Sequence, residues 1–368
     1  MQSSERWANY PDNGSQRSAP TRNPAGHPVA DRAEDPGRAR CSTSVELSLL
    51  DRSRIRAGEP EAAALTHTVE RAVAAEKSGY RRFWVAEHHA VPGIASGSPP
   101  VLLGVLGART STIRIGSGGV MLPHHQPLVV AEQFLMLDAL FPGRIDVGLG
   151  RSPAFTAPVR RAMRQQEDAP DRFADELAEL RAYLDGTGPV TAHPVSGRTV
   201  PMFVLATGRG LAVAARLGLP AVLGGPLLDS PELAAALADY RRDFRPSPRA
   251  QHPAVTLALD ITVAETDEQA RALVLPEAWA MARSRATGEF PPLEPVAVIE
   301  DRLWTEQTRR RVEATVRHAV AGTTHTVRRR IEELTDRTGA GELLVTTSTY
   351  DREALAASDT ALARIIAG

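Results

Sequence analysis

The stretch Phe83-Trp84-Val85-Ala86-Glu87-His88-His89 ends an apolar run in one carboxylate and two imidazoles. The breaker-rich Val91-Pro92-Gly93-Ile94-Ala95-Ser96-Gly97 follows it. A strand that delivers titratable groups to a loop is where parallel-barrel enzymes keep their chemistry, because loops there can vary without disturbing the packed interior. Glu87 and His88, in this Glu-His-His cluster, are candidates for a catalytic site. The bland alternative for either histidine is a buried imidazole satisfied by its neighbours.

A second adjacent pair, His124-His125, also lies just past a strand-like run. Adjacent side chains on extended chain point to opposite sides, so each pair is expected to give one imidazole to a common cavity. No further carboxylate cluster completes a coordination set, and no metal is expected. His125, Gln126 and Ser152 are the candidate substrate-pocket residues.

Three further segments have the composition of a binding surface. In Ile115-Gly116-Ser117-Gly118-Gly119-Val120, three glycines in four residues imply that something flat, or backbone, approaches the strand end closely; a β-bulge would use them equally well. In Asp146-Val147-Gly148-Leu149-Gly150-Arg151, a strand runs into glycine and then an arginine, whose donor fork can hold a phosphate, a polarised ring oxygen or a neighbouring carboxylate. Ala206-Thr207-Gly208-Arg209-Gly210 sits between a strand and a helix, and the free amides there, with Thr207 and Arg209, suit an anion. It matches neither a Walker loop nor Gly-x-Gly-x-x-Gly.

The elements that must position these groups alternate. Strand-like runs at Val45–Leu50, Phe83–Glu87, Ile113–Gly116, Ile145–Leu149, Met202–Leu205, Ala221–Leu223, Val255–Val263 and Leu343–Thr347 are separated by amphipathic segments. Those at Glu61–Ser78, Asp171–Leu184 and Thr324–Thr338 stop at Gly79, Asp185-Gly186 and Gly339, where left-handed caps form, and Asp351–Ile366 is the last helix. Eight strands in βα alternation predict an α/β fold, a (β/α)8 TIM barrel, over residues 44–368. That length exceeds the roughly 250 residues of a plain barrel. Ser152–Pro170 and Gly288–Arg311, irregular in pattern, absorb the excess as expected lids or binding loops, with Trp304 exposed.

Composition narrows the function classes. The chain has 368 residues, and its 43 Lys and Arg against 44 Asp and Glu leave a formal charge of −1, so nothing draws it as a whole to nucleic acid. No apolar run approaches the roughly 20 residues of a membrane span. Cys41 is the only cysteine, which excludes an internal disulfide and fits a cytoplasmic location. Residues 1–43, with five prolines and almost no aliphatic side chains, are expected to be a disordered extension.

Taken together, the chain resembles the bacterial luciferase-like flavin-dependent monooxygenases, most closely the branch found in biosynthetic clusters that make secondary metabolites such as antibiotics. The similarity runs from about Val45 to the C-terminus. It is carried by Gly79–His89, by Arg109–Pro123, by Phe141–Arg151, and more weakly by Leu217-Gly218-Leu219-Pro220 and Thr338–Thr347. The resemblance implies a barrel that binds reduced FMN supplied by a separate flavin reductase, with O2 as co-substrate and a flavin hydroperoxide as the reactive species. It implies that His88 is the catalytic histidine and that Gly118-Gly119 lie behind the flavin ring, next to a non-prolyl cis peptide. It assigns Arg151 and Thr207 to flavin contact, and Arg209 and Gly210 fall beside them as cofactor-binding candidates. Gln126 departs from the family where the luciferases have a second active-site histidine, Gly150 replaces their reactive cysteine, and Ala206, Leu211 and Gly225 differ from common family choices. The expected activity is oxygenation of an apolar or aromatic small molecule, in a chain for which a homodimer is the candidate assembly. The alternatives are hydride transfer with the deazaflavin F420, and a flavin-binding barrel without activity.

Overall fold

The computed structural model describes residues 45–152, 156–165, 171–206 and 209–368. These described residues form one compact unit. The expected extension over 1–43 lies outside the described residues, as does Thr207.

Eight parallel strands close into a barrel in the order β1, β10, β7, β6, β5, β4, β3, β2. They are β1 (Glu46–Asp51), β2 (Arg82–Val85), β3 (Arg114–Met121), β4 (Ile145–Gly150), β5 (Met202–Ala206), β6 (Ala221–Gly224), β7 (Val255–Leu259) and β10 (Glu342–Val345). The connecting helices include α1 (Glu61–Lys77), α2 (Pro99–Arg109), α3 (Pro127–Leu140), α4 (Ala157–Ala162), α5 (Phe173–Leu184), α6 (Gly210–Leu217) and α7 (Leu233–Asp243). They continue with α8 (Asp267–Thr287), α9 (Val296–Glu300), α10 (Glu306–His318), α11 (Thr324–Thr338) and α12 (Arg352–Ala367). The glycine stops form as expected: Gly79 and Gly339 sit at φ +81° and +61°, a region that costs glycine least.

The expected single strand Val255–Val263 is two. Asp260 interrupts it, and β8 (Ile261–Val263) turns out of the barrel to pair with β9 (Val320–Gly322) in a separate parallel ribbon. The segment Gly288–Arg311 is also not irregular throughout, since it contains α9 and the start of α10. Trp304 is half-buried there rather than exposed, its ring centroid 5.4 Å from that of Trp279. Its indole N–H donates to Ile299 O at 2.9 Å.

Alternation along the strands sorts the side chains into two cores. Leu49, Phe83, Val85, Ile115, Val147, Leu257 and Leu343 face outward to the helices. Leu50, Trp84, Ala86, Phe203, Val222 and Leu344 fill the interior, with Leu205 and Ala258 partly buried against them. Below this apolar layer, at the N-terminal ends of the strands, the interior is ionic. Arg82 bridges Asp146 at 2.8 Å and Glu342 at 2.6 Å, and Arg114 reaches Asp146 at 2.6 Å. The Trp84 indole N–H also donates to Asp146, at 3.2 Å, so the buried carboxylate has donors on several sides. The lower end of the barrel is thus plugged, and the mouth lies at the C-terminal ends.

Candidate active site

Glu87 lies two residues past the end of β2, and its side chain is fully buried. Its Oε1 accepts from His89 Nε2 at 2.8 Å and His125 Nε2 at 2.9 Å, and its Oε2 accepts from the Met121 N–H at 3.2 Å. His124 Nδ1 stands 3.5 Å from the same Oε1, at the outer limit of a hydrogen bond. Burial alone would raise this carboxyl; the imidazoles of His124, His125 and His89 overcome it and hold it at about 2. The expectation that each pair gives one imidazole to a common cavity therefore fails. The turn Leu122–His124 ends the extended run, so His124 and His125 both face Glu87, joined by His89 from the other pair.

His88 points elsewhere. Its backbone N–H donates to Ser96 O at 2.9 Å, and its ring helps line an open cleft of about 710 Å³ with Ile55, Leu65, Val91 and Ile94. Burial lowers its pKa, the Arg52 and Arg54 guanidinium groups lower it further, and it comes to about 4 despite Glu87 and Glu277. His88 is thus neutral at neutral pH, which suits a proton acceptor better than a proton donor. The two arginines are themselves held by the buried Glu277 of α8, at 3.0 Å from Arg52 and 2.9 Å from Arg54. Nothing in the sequence pattern singles out Arg52, Arg54 or Glu277 beyond a Pro276-Glu277 pair inside an otherwise alanine-rich helix.

Gly118 and Gly119 are joined by a cis peptide bond, and the register with β4 shifts between Gly118 and Val120. A Cβ at Gly118 would lie 2.6 Å from Leu50 Cδ1, and one at Gly119 would lie 2.7 Å from Gly148 O. The close approach read from these glycines is made by the barrel itself, with a bulge. Small residues nevertheless ring the mouth above Trp84 and Phe203, namely Ala86, Gly150, Gly224 and Ala258.

Arg151, Arg209 and Arg216 line one cavity of about 580 Å³ together with Asp171, Asp239, Asp243, Leu211 and Tyr240. Gly210 starts α6 beside them, and among the described residues no side chain caps that helix start. Arg151 is paired with Asp171 at 3.1 Å, so the salt bridge considered as its simpler role is present. Gln126 and Ser152 are exposed, and Gln126 stands at the N-cap of α3.

A closed parallel barrel with titratable groups gathered past its strand ends defines a (β/α)8 enzyme. The sequence profile of the luciferase-like monooxygenases matches residues 45–341. A luciferase-like monooxygenase of Escherichia coli K12 is 36% identical over 319 residues, spanning 84% of this chain and 94% of that one. The crystal structure of apo-MsnO8 superposes with a TM-score of 0.78 at 33% identity, covering 87% of this chain and 98% of that one. The oxygenating constituent of 3,6-diketocamphane monooxygenase from Pseudomonas putida, solved with FMN, shares the fold. Its TM-score is 0.67 at 18% identity, over 88% and 98% of the two chains. The chain belongs to the luciferase-like monooxygenase family, and its activity is of the monooxygenase class. Among the described residues no helix is long and apolar enough to cross a membrane.

Proposed function

We propose that the protein uses reduced FMN and O2 to oxygenate an apolar or aromatic small molecule, a secondary-metabolite intermediate, with the reduced flavin delivered by a separate reductase in the cytoplasm. The observation that carries this reading is the set of small residues at the strand ends above Trp84 and Phe203, namely Ala86, Gly150, Gly224 and Ala258. A separate cavity holds Arg151, Arg209 and Arg216 opposite Asp171, Asp239 and Asp243, next to the start of α6. A planar apolar ring fits the first and a phosphate fits the second.

Arg151, Arg209 and the Gly210 amide would hold the phosphate, with Arg151 exchanging Asp171 for it. The chemistry supplied by bound reduced FMN is activation of O2 for oxygen-atom transfer. The part of this chain is to orient the substrate over the apolar floor and to keep water out. Neutral His88 would accept a proton from the substrate or an intermediate through a ring nitrogen. Glu87 would not react; it fixes the orientation of His89 and His125, which border the same end of the barrel.

A homodimer is the assembly we favour. Val101 and Val105 on α2 and Val129, Met136 and Leu140 on α3 are exposed, each by about half or more, on two helices that pack together. Such apolar stripes at helical spacing are costly in water and mark contact surfaces.

The test is anaerobic titration with reduced FMN followed by an oxygen pulse. Tight binding of reduced FMN and its oxygen-dependent consumption support the reading. No binding of FMN, with binding of reduced F420 instead, overturns it.

A further inference from the structure

Glu87, His89 and His124 place one carboxylate oxygen and two imidazole nitrogens so that all three atoms lie within 4.8 Å of one another. From these residues we infer a binding site for a zinc-class divalent cation at the barrel mouth.

The donor set is the first argument. Two imidazoles and one carboxylate are the three protein ligands of an open zinc site, whose fourth position is left to water. Imidazole donors select zinc, cobalt or copper over magnesium and calcium, which take oxygen ligands.

The geometry is the second. Zinc bonds near 2.0–2.1 Å in a tetrahedron set neighbouring donor atoms about 3.3 Å apart. Glu87 Oε1 is already 2.8 Å from His89 Nε2 and 3.5 Å from His124 Nδ1. All three ligand atoms lie within 4.8 Å of one another, so side-chain shifts of about 1–2 Å would bring them into range.

The third argument is a loosely held imidazole. The His124 side chain is 2% exposed, and its Nδ1 stands 3.5 Å from Glu87 Oε1, at the outer limit of a hydrogen bond. A cation between the two would replace this long contact with two bonds of normal length. An outer shell is also in place. His125 Nε2 and the Met121 N–H both donate to the Glu87 carboxylate and hold it toward the two rings. The ligands come from the segments after β2 and after β3, so a bound cation would clasp the two together.

The experiment uses tag-free protein without flavin, so its outcome is independent of the monooxygenase reading. Cobalt(II) is titrated and followed through its visible tetrahedral absorption bands, and zinc retained after desalting is measured by elemental analysis. We expect one cation per chain, displacement of cobalt by zinc but not by magnesium, and a higher Tm with zinc. His89→Asn and His124→Asn should each abolish retention, and His125→Phe, which removes only an outer partner, should weaken it about 10–100-fold. Melting curves without metal report whether each variant is folded. Absence of tetrahedral cobalt bands in the parent protein overturns the inference. So does retention unchanged in folded His89→Asn or His124→Asn. If both variants unfold, the parent protein decides, and a zinc-independent Tm then rejects the site.

Discussion

Glu87 and His125 are 38 residues apart in sequence and 2.9 Å apart in space. That contact ties the end of β2 to the turn after β3, and it depends on the carboxylate remaining charged. Glu87→Gln should therefore cost about 1.5–3 kcal/mol of stability, the range for hydrogen bonds to a charged group. Denaturant unfolding measures it.

His88→Ala should lower turnover by about 10²–10⁴-fold, the usual contribution of a proton-transfer group, with little change in reduced-flavin affinity. A parallel loss of both would make His88 structural.

Acid stability should report the two depressed histidines. His67 and His88 are both held at about 4, against an ordinary value of 6.5, chiefly by burial. The unfolded chain therefore binds more protons than the folded one between those values, and stability should be full above pH 6.5 and decline as pH falls to 4. A tenfold difference in proton affinity between the two states corresponds to about 1.4 kcal/mol. His88→Gln should flatten the slope over this window in urea unfolding; an unchanged slope would remove His88 as a cause.

Arg151→Ala and Arg209→Ala should each weaken FMN binding about 10–100-fold, the loss of a charge-assisted hydrogen bond of about 1.5–3 kcal/mol. Riboflavin, which has no phosphate, should bind both variants as it binds the parent. Equal loss for the two ligands would show that the arginines serve the ring or the fold instead.

Gly119→Val should destabilise the barrel by about 1–3 kcal/mol or more, because the new side chain begins 2.7 Å from the Gly148 carbonyl and β4 cannot yield. A variant with parental Tm would mean that the bulge relaxes.

The barrel is legible in the sequence because each strand is a short apolar run and several helices end at a glycine where the chain must take positive φ. Val255–Val263 reads as one strand because both halves are apolar, and periodicity carries no mark of the partner each half pairs with. The positions of Glu87 and His88 after a strand are equally plain. Their environments are not. Alternation on extended chain assigns His124 and His125 to opposite sides, and a single helical turn overrides it. The Arg52–Glu277 contact joins residues more than 200 positions apart, and no local pattern encodes such a pairing.

The ionic layer of Arg82, Asp146, Arg114 and Glu342 turns the barrel into a cup with a sealed base. A cup has one rim, and whatever enters first becomes the floor for the next arrival. Entry and departure are then a queue: a ligand seated low must precede one seated high, and the upper one must leave before the lower can be exchanged.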